Sequence, residues 1–445
     1  MTFQVVFGSS VIENSIPHID NSLVSLPGEM KGYDCNLGIN DDILSKHLLL
    51  VGGSGCGKTN TFFYFVDQIK RKMTVNDCML IFDTKGEYCE KFAEKTDYII
   101  GNNRSFRQIG YSWNIFDEIL ADGWDDLSVL INTREIAAAL FHDRASKAQP
   151  FFSNAARDIF SAVLLHFIRS AIRDPKVWKK KLNNACLVDA LRRFNVDHYR
   201  AICSHYKDLN NLITYFGDGK SNQALGVFGE LNTMISEYFV GVFASYKKNR
   251  DISMRGFVNR KGGKKLFVEY DLSVGETLIP MYRLLFDQAL KEALGNKRRK
   301  GKVYIITDEF KLLPKLQHID DALNFGRGLG IRVIAGIQSI DQLYDIYGEN
   351  KGSVIASGFG SIFAFYANDH SSRDYIIKRF GKNIIIYNYF NKFTSKYIQN
   401  ERAGNTVEDW DLISCMEPGK AIIGIRGYDP FVFKFKEFSK GEQYE

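Results

Sequence analysis

One run, His47 to Asn60, constrains this chain more than any other: HLLLVGGSGCGKTN. The apolar residues Leu48 to Val51 break into Gly52-Gly53-Ser54-Gly55-Cys56-Gly57-Lys58-Thr59, which fills every fixed position of the pattern G-x-x-x-x-G-K-[ST]. Beyond Thr59, the residues Phe62, Phe63, Phe65, Val66 and Ile69 recur at helical spacing, so the context reads strand, glycine turn, helix. Each residue type has a reason. Glycines let backbone N–H groups wrap phosphates, and the start of the helix adds its positive dipole end. Lys58 is placed to reach the β- and γ-phosphates and the Thr59 hydroxyl to ligate Mg²⁺. Gly52, Gly53, Ser54, Gly55, Cys56, Gly57, Lys58, Thr59 and Asn60 are therefore the expected binding set for ATP or GTP.

A nucleotide hydrolase also needs an apolar strand that ends in acid, and Val303-Tyr304-Ile305-Ile306-Thr307 runs into Asp308-Glu309-Phe310. There Asp308 can hold Mg²⁺ through its water shell, and Glu309 can polarise a water for attack on the γ-phosphorus. GTP switch proteins do not need that glutamate, so the pair favours an ATP motor-type hydrolase. A further strand, Ile331 to Ile337, ends in Gln338, whose amide can contact both the γ-phosphate and the attacking water. Between the two strands lies Asn324-Phe325-Gly326-Arg327-Gly328-Leu329-Gly330. Its glycines predict a short exposed turn, and Arg327 on such a turn suits an arginine that reaches into a neighbouring active site. The residues alone leave Arg332, or a plain surface role, as alternatives.

The remaining apolar runs supply the strands of an α/β fold. Cys78 to Phe82 leads into Asp83-Thr84-Lys85-Gly86-Glu87, polar residues where open parallel sheets bind ligands, with a surface turn as the other reading. Tyr98–Ile100, Leu266–Tyr270, Ile362–Tyr366, Ala421–Ile425 and Phe431–Phe435 read as further strands. Residues 1–46, punctuated by Pro17, Pro27, Gly28, Gly32 and Gly38, form a preamble packed on the nucleotide domain. Over 118–218 the periodicity turns helical: Leu127–Phe141, Ala155–Ile172 and Cys186–Phe194 carry apolar residues three and four apart. That segment is expected to be an all-α insertion, with 47–117 and 219–435 forming the nucleotide-binding domain and 436–445 a charged tail.

Composition narrows the class. A chain of 445 residues that is 45% hydrophobic and 25% charged is globular, neither disordered nor fibrous. The net charge of +6 permits a polyanionic partner. Basic residues cluster at Lys176 and Lys179–Lys181, at Arg192 and Arg193, and in a segment holding Lys247, Lys248, Arg250, Arg255, Arg260, Lys261, Lys264 and Lys265. They cluster again at Lys297-Arg298-Arg299-Lys300. Such clusters are either solvated faces or contacts to an anion. Seven cysteines with no C-x-x-C pair indicate reduced thiols and a cytoplasmic compartment. No apolar run reaches the roughly 18 residues a membrane helix needs, and the amino terminus lacks a signal-peptide pattern, so a soluble chain is expected.

Taken in order, GGSGCGKT, DTKGE, YSWNIFDEI at Tyr111–Ile119, FFSNAARDIF at Phe151–Phe160, TDEF at Thr307–Phe310 and GIQSIDQL at Gly336–Leu343 resemble the type IV coupling proteins of conjugative DNA transfer. These are ring-forming, DNA-pumping ATPases. The resemblance runs from about Lys46 to Phe435. It implies a RecA-like P-loop ATPase domain with a mainly parallel central sheet and an inserted all-α subdomain. It also implies a homo-hexamer with ATP sites at subunit interfaces and DNA in the central channel. Carried onto matching positions, Lys58 and Thr59 bind phosphate and Mg²⁺, Asp308 and Glu309 are the metal-binding and catalytic acids, Gln338 senses the γ-phosphate and Arg327 acts in trans. Relaxase or secretion-channel proteins are the implied partners. Members usually carry transmembrane helices ahead of the ATPase; this sequence has none, so any recruitment to the inner face of a membrane falls to a partner. The leading expectation is an ATP-driven DNA translocase. A protein-exporting or assembly ATPase and a nucleotide-dependent scaffold remain the alternatives.

Overall fold

The computed structural model describes residues 2–145, 150–273, 275–295, 300–391 and 396–440. Its strands, in chain order, are β1 (Thr2–Phe7), β2 (Ser22–Met30), β3 (Tyr33–Asn40), β4 (Leu48–Val51), β5 (Cys78–Asp83), β6 (Tyr98–Ile100), β7 (Ser112–Trp113), β8 (Asp251–Ile252), β9 (Lys264–Glu269), β10 (Val303–Thr307), β11 (Ile331–Ile337), β12 (Ser361–Phe365), β13 (Lys382–Asn391), β14 (Lys396–Asn405), β15 (Lys420–Gly424) and β16 (Phe431–Phe435). Eleven of them form one sheet in the order β3-β2-β16-β15-β12-β4-β11-β10-β5-β9-β6. From β12 to β6 every neighbouring pair is parallel; β15, β16, β2 and β3 extend the sheet antiparallel. The preamble is thus more than a cover, because two of its strands lengthen the sheet itself.

The central strands read as unbroken apolar runs because both of their faces are covered. Every residue of β4, β10 and β11 is buried. Leu49 and Val51 enter one core while Leu48 and Leu50 enter the other, on the opposite face. The first core continues without a break from Leu80 and Val268 on the sheet to Ile136, Phe160 and Leu231 on the helices that lie between β7 and β8. An aromatic chain carries it: Phe82 meets Tyr282 at 5.9 Å, Tyr282 meets Phe243 at 5.9 Å, and Phe243 meets Trp113 at 6.4 Å. The main helices of this segment, Asp126–Ala145, Pro150–Arg173, Asn184–Arg193 and Asn222–Tyr238, are therefore anchored to the sheet that carries the nucleotide loop.

Three features depart from the sequence reading. The hairpin β13–β14 was not expected; with β1 it makes a separate three-stranded antiparallel sheet. The charged tail, as far as Lys440, is docked rather than free: Phe438 packs against Phe63, Tyr64 and Phe92 at 5.1–5.8 Å. Residues 441–445 lie outside the described residues, as do Lys297, Arg298 and Arg299. Arg255, Lys261 and Lys265, counted above among the basic clusters, are buried. Arg255 pairs with Asp122 and Glu292, and Lys265 with Asp97, because a cation taken out of water needs a partner. Exposed basic residues remain in the helical segment, among them Lys176, Lys179, Lys180 and Arg192, and beyond it at Arg260 and Lys300.

Candidate functional site

Strand β4 lies between β11 and β12 and delivers its carboxyl end to the loop Gly52–Gly57. The loop is tied to both neighbours: Gly52 N donates to Ile337 O at 3.1 Å and Gly53 N to Tyr366 O at 2.9 Å. Gly57 closes it at φ 107° immediately before the helix Lys58–Lys72, and a Cβ there would sit 2.9 Å from the backbone of Gly419. Only glycine meets both conditions. The first intrahelical bond at this end runs from Thr61 N to Gly57 O. The amides of Lys58, Thr59 and Asn60 therefore belong to the first turn, where N–H groups have no i−4 acceptor and favour an anion. Ser54 and Gly55 are the exposed crest of the loop.

Lys58 is buried and its ammonium bends back over the loop, donating to Gly52 O at 2.5 Å and Gly53 O at 3.1 Å. Cys56 Sγ lies 3.9 Å from the same nitrogen, and burial raises that thiol's pKa above its ordinary value. Asn60 departs from the expected binding set as far as its side chain goes. Its Nδ2 donates to Lys436 O at 2.8 Å and its Oδ1 accepts from Phe438 N at 2.6 Å, so the amide is committed to the carboxyl-terminal segment.

The acidic pair arrives from β10, which lies two places from β4. Thr59 Oγ1 donates to Asp308 Oδ2 at 2.5 Å, bringing together two residues 249 positions apart. Burial raises the pKa of Asp308, against the lowering effects of Thr59, Lys58 and Tyr88. Glu309 and Gln338 stand at the ends of adjacent strands, and Gln338 Nε2 donates to Glu309 Oε2 at 2.9 Å. The hydroxyl and carboxylate oxygens of Thr59 and Asp308 are the hard donors that Mg²⁺ takes, with phosphate oxygens and waters completing its shell. Residues fitting the metal are thus present beside the phosphate loop.

One residue of this cluster was missed by sequence reasoning. The turn after β5 buries Asp83 completely, and its carboxylate accepts from Cys89 N at 2.8 Å and Lys85 N at 3.4 Å. This fixes the helix Glu87–Phe92, whose Tyr88 hydroxyl donates to Asp308 Oδ2 at 3.1 Å. The strand-end DTKGE is therefore built into the site and is not a surface turn. Its position at a strand end was the available signal.

Arg327 is placed differently from expectation. It sits in the last turn of the helix Ile319–Leu329, not on a turn, because glycine is tolerated at a helix end and the helix stops only at Gly330, φ 83°. Its guanidinium is 60% exposed and pairs with Asp42 at 3.0 Å, and Asp42 also holds Lys46 at 2.6 Å. Arg332 is buried and forked onto Asp41 at 3.1 and 3.0 Å, which leaves it a structural arginine. Both arginines lie by the start of β11, while Gln338 follows its end.

Residues 35–403 match the family model of the type IV secretion-system coupling protein DNA-binding domain. The chain belongs to that coupling-protein family. Coupling protein TraD of Escherichia coli (strain K12) is 22% identical over 361 residues, covering 79% of this chain and 46% of TraD. Protein VirD4 of Agrobacterium fabrum is 33% identical over 110 residues, covering 24% of this chain and 16% of VirD4. The chain thus spans less than half the length of these relatives. Among solved structures, the bacterial conjugative coupling protein TrwBdeltaN70 in complex with sulphate superposes with a TM-score of 0.72 at 17% identity, covering 98% of this chain and 95% of that one. TrwB in complex with ADP and Mg²⁺ gives 0.69 at 18%, over 90% and 88%. The coupling proteins and this chain share one fold, a mixed but mostly parallel sheet with a helical insert. Among the described residues no helix is long and apolar enough to cross a membrane.

Proposed function

We propose that this coupling protein hydrolyses ATP and uses the energy to move DNA. The observation that carries the reading is the convergence of Lys58, Thr59, Asp308, Glu309 and Gln338 on the carboxyl ends of three neighbouring parallel strands, β4, β11 and β10. On this reading Lys58 exchanges the Gly52 and Gly53 carbonyls for phosphate oxygens. Thr59, whose hydroxyl donates to Asp308 Oδ2, would hold the metal through its oxygen together with Asp308. Mg²⁺, when bound, supplies charge neutralisation at the β- and γ-phosphates. Glu309 takes the proton of the attacking water, and Gln338, held to Glu309, orients that water and registers the γ-phosphate. Arg327 would then serve the site of a neighbouring copy in a hexameric ring. Support for DNA as the polymer comes from the family's DNA-binding domain and from the exposed lysines at 176, 179 and 180.

The test is ATP turnover against protein concentration, with and without single- and double-stranded DNA, at several salt concentrations. Turnover that rises with concentration and with DNA, and loses the DNA effect steeply with salt, is expected because phosphate contacts release counterions. Turnover indifferent to DNA at moderate salt would move the reading to a polypeptide-handling ATPase. A relaxase or a secretion-channel protein is the partner class to add next.

A further inference from the structure

We propose that Tyr88 is a positioning residue for the metal-binding half of the nucleotide site, an inference that rests on the nucleotide reading above. The side chain is 3% exposed and stands among aromatic rings: Phe63 lies edge-on at 5.1 Å, and Phe63 in turn meets Phe92 and Phe438, each at 5.7 Å. A phenylalanine would fill that space equally well. A phenol hydroxyl taken into such surroundings costs free energy unless it finds a partner. Its partner is Asp308, 220 positions away in sequence.

The geometry gives the hydroxyl a task. Thr59 Oγ1 and Tyr88 OH both donate to Oδ2 of Asp308, at 2.5 and 3.1 Å. Two donors on one oxygen fix the carboxylate's rotation and commit Oδ2 to the protein, so that Oδ1 is the oxygen presented to a cation's water shell. The helix Glu87–Phe92 that carries Tyr88 is itself held by Asp83, through Cys89 N and Lys85 N. Tyr88 is thereby a rigid outer partner of a metal-binding carboxylate, the kind of contact that orients the ligand and raises metal affinity.

The experiment measures Mn²⁺ binding to the ADP-loaded chain by electron paramagnetic resonance, in the wild type and in Tyr88→Phe. ADP binding in excess chelator and the melting temperature in chelator are measured alongside. Expected is a fall in Mn²⁺ affinity of about tenfold, with metal-free ADP affinity unchanged within about twofold and melting near that of the wild type. Mn²⁺ affinity within about twofold of the wild type would overturn the proposal. So would a loss shared equally by metal-free ADP binding, or a collapse in melting temperature, since either would make Tyr88 a packing residue. A wild-type chain that binds no ADP, with or without metal, would instead remove the nucleotide reading on which the inference rests.

Discussion

If Glu309 is the base proposed above, replacing it by glutamine separates binding from chemistry in this site. The carboxylate makes one side-chain contact that a substitution must respect, the 2.9 Å bond it accepts from Gln338 Nε2. A glutamine oxygen can accept the same bond, and the remaining atoms of this half-buried residue can turn to water. What is lost there is the charge assistance of one hydrogen bond, about 1 kcal/mol, or at most about fivefold in nucleotide affinity. On the proposed reading, what is lost in the reaction is the acceptor for the water's proton. General-base catalysis contributes about 10² to 10⁴ in rate, so the barrier should rise by about 3–5 kcal/mol. The expected result for Glu309→Gln is therefore ATP binding within about fivefold of the wild type and turnover reduced by at least about a hundredfold. Fluorescent-nucleotide titration and steady-state phosphate release measure the two quantities on the same preparation. Turnover within about fivefold of the wild type would refute the assignment of Glu309 as base. A parallel collapse of binding would show instead that the carboxylate is a structural anchor.

Two other predictions follow from the same structure. His47, buried at φ 62° with Nδ1 accepting from Val333 N at 3.1 Å, is pushed down to about 4 from 6.5 by burial and by the Arg332 charge. The unfolded chain then binds the extra proton, so this contribution is whole above about pH 6.5 and is lost as pH falls from there towards 4, by up to about 3 kcal/mol. Asparagine tolerates the left-handed backbone and offers an acceptor, so urea unfolding of His47→Asn should show a shallower loss of stability between about pH 7 and pH 5; an unchanged slope would exclude His47 as the source. In the ring reading, Lys58→Ala and Arg327→Ala chains are each inactive, yet an equal mixture recovers about a quarter of wild-type turnover, the share of interfaces that pair an intact loop with an intact arginine. No recovery on mixing, or an active Arg327→Ala chain alone, would remove Arg327 from the reaction.

Much of the site was legible because its parts are local. A phosphate loop is read from fixed glycines between an unbroken apolar strand and an amphipathic helix, and Asp308 and Gln338 are each the first polar residue after a buried strand. What depends on long-range meetings was not legible. Nothing in the spacing of Tyr88 announces Asp308, and nothing around Asn60 announces the backbone of Lys436 and Phe438. The basic segment misled for the same reason, since Arg255 and Lys265 find Asp122, Glu292 and Asp97 only when the sheet edge and the helical segment close on them. The hairpin β13–β14 carried a readable β-branched run, Ile384-Ile385-Ile386, but its partner β1 lies far from it in sequence. Arg327 was misplaced because Gly326 and Gly328 were taken to break a helix that packs Gly326 against Ile331 and continues to Leu329.

The placement of Arg327 decides what could govern its use. Strand β11 is seven residues long, so the elements at its two ends are separated by about 23 Å. Arg327 precedes that strand and the phosphate loop follows the carboxyl end of its neighbour β4, so within one chain the guanidinium and Lys58 lie on opposite rims of the sheet. Any part Arg327 plays in hydrolysis requires a second copy. The pair it makes with Asp42 is exposed on both sides, and such pairs contribute about 0–1 kcal/mol. An arginine in trans lowers a phosphoryl-transfer barrier by 10³-fold or more, about 4 kcal/mol. On the proposed ring reading, release from Asp42 is therefore too small a cost to hold the reaction in check, and control would fall to whatever brings one chain's helix end against the next chain's loop.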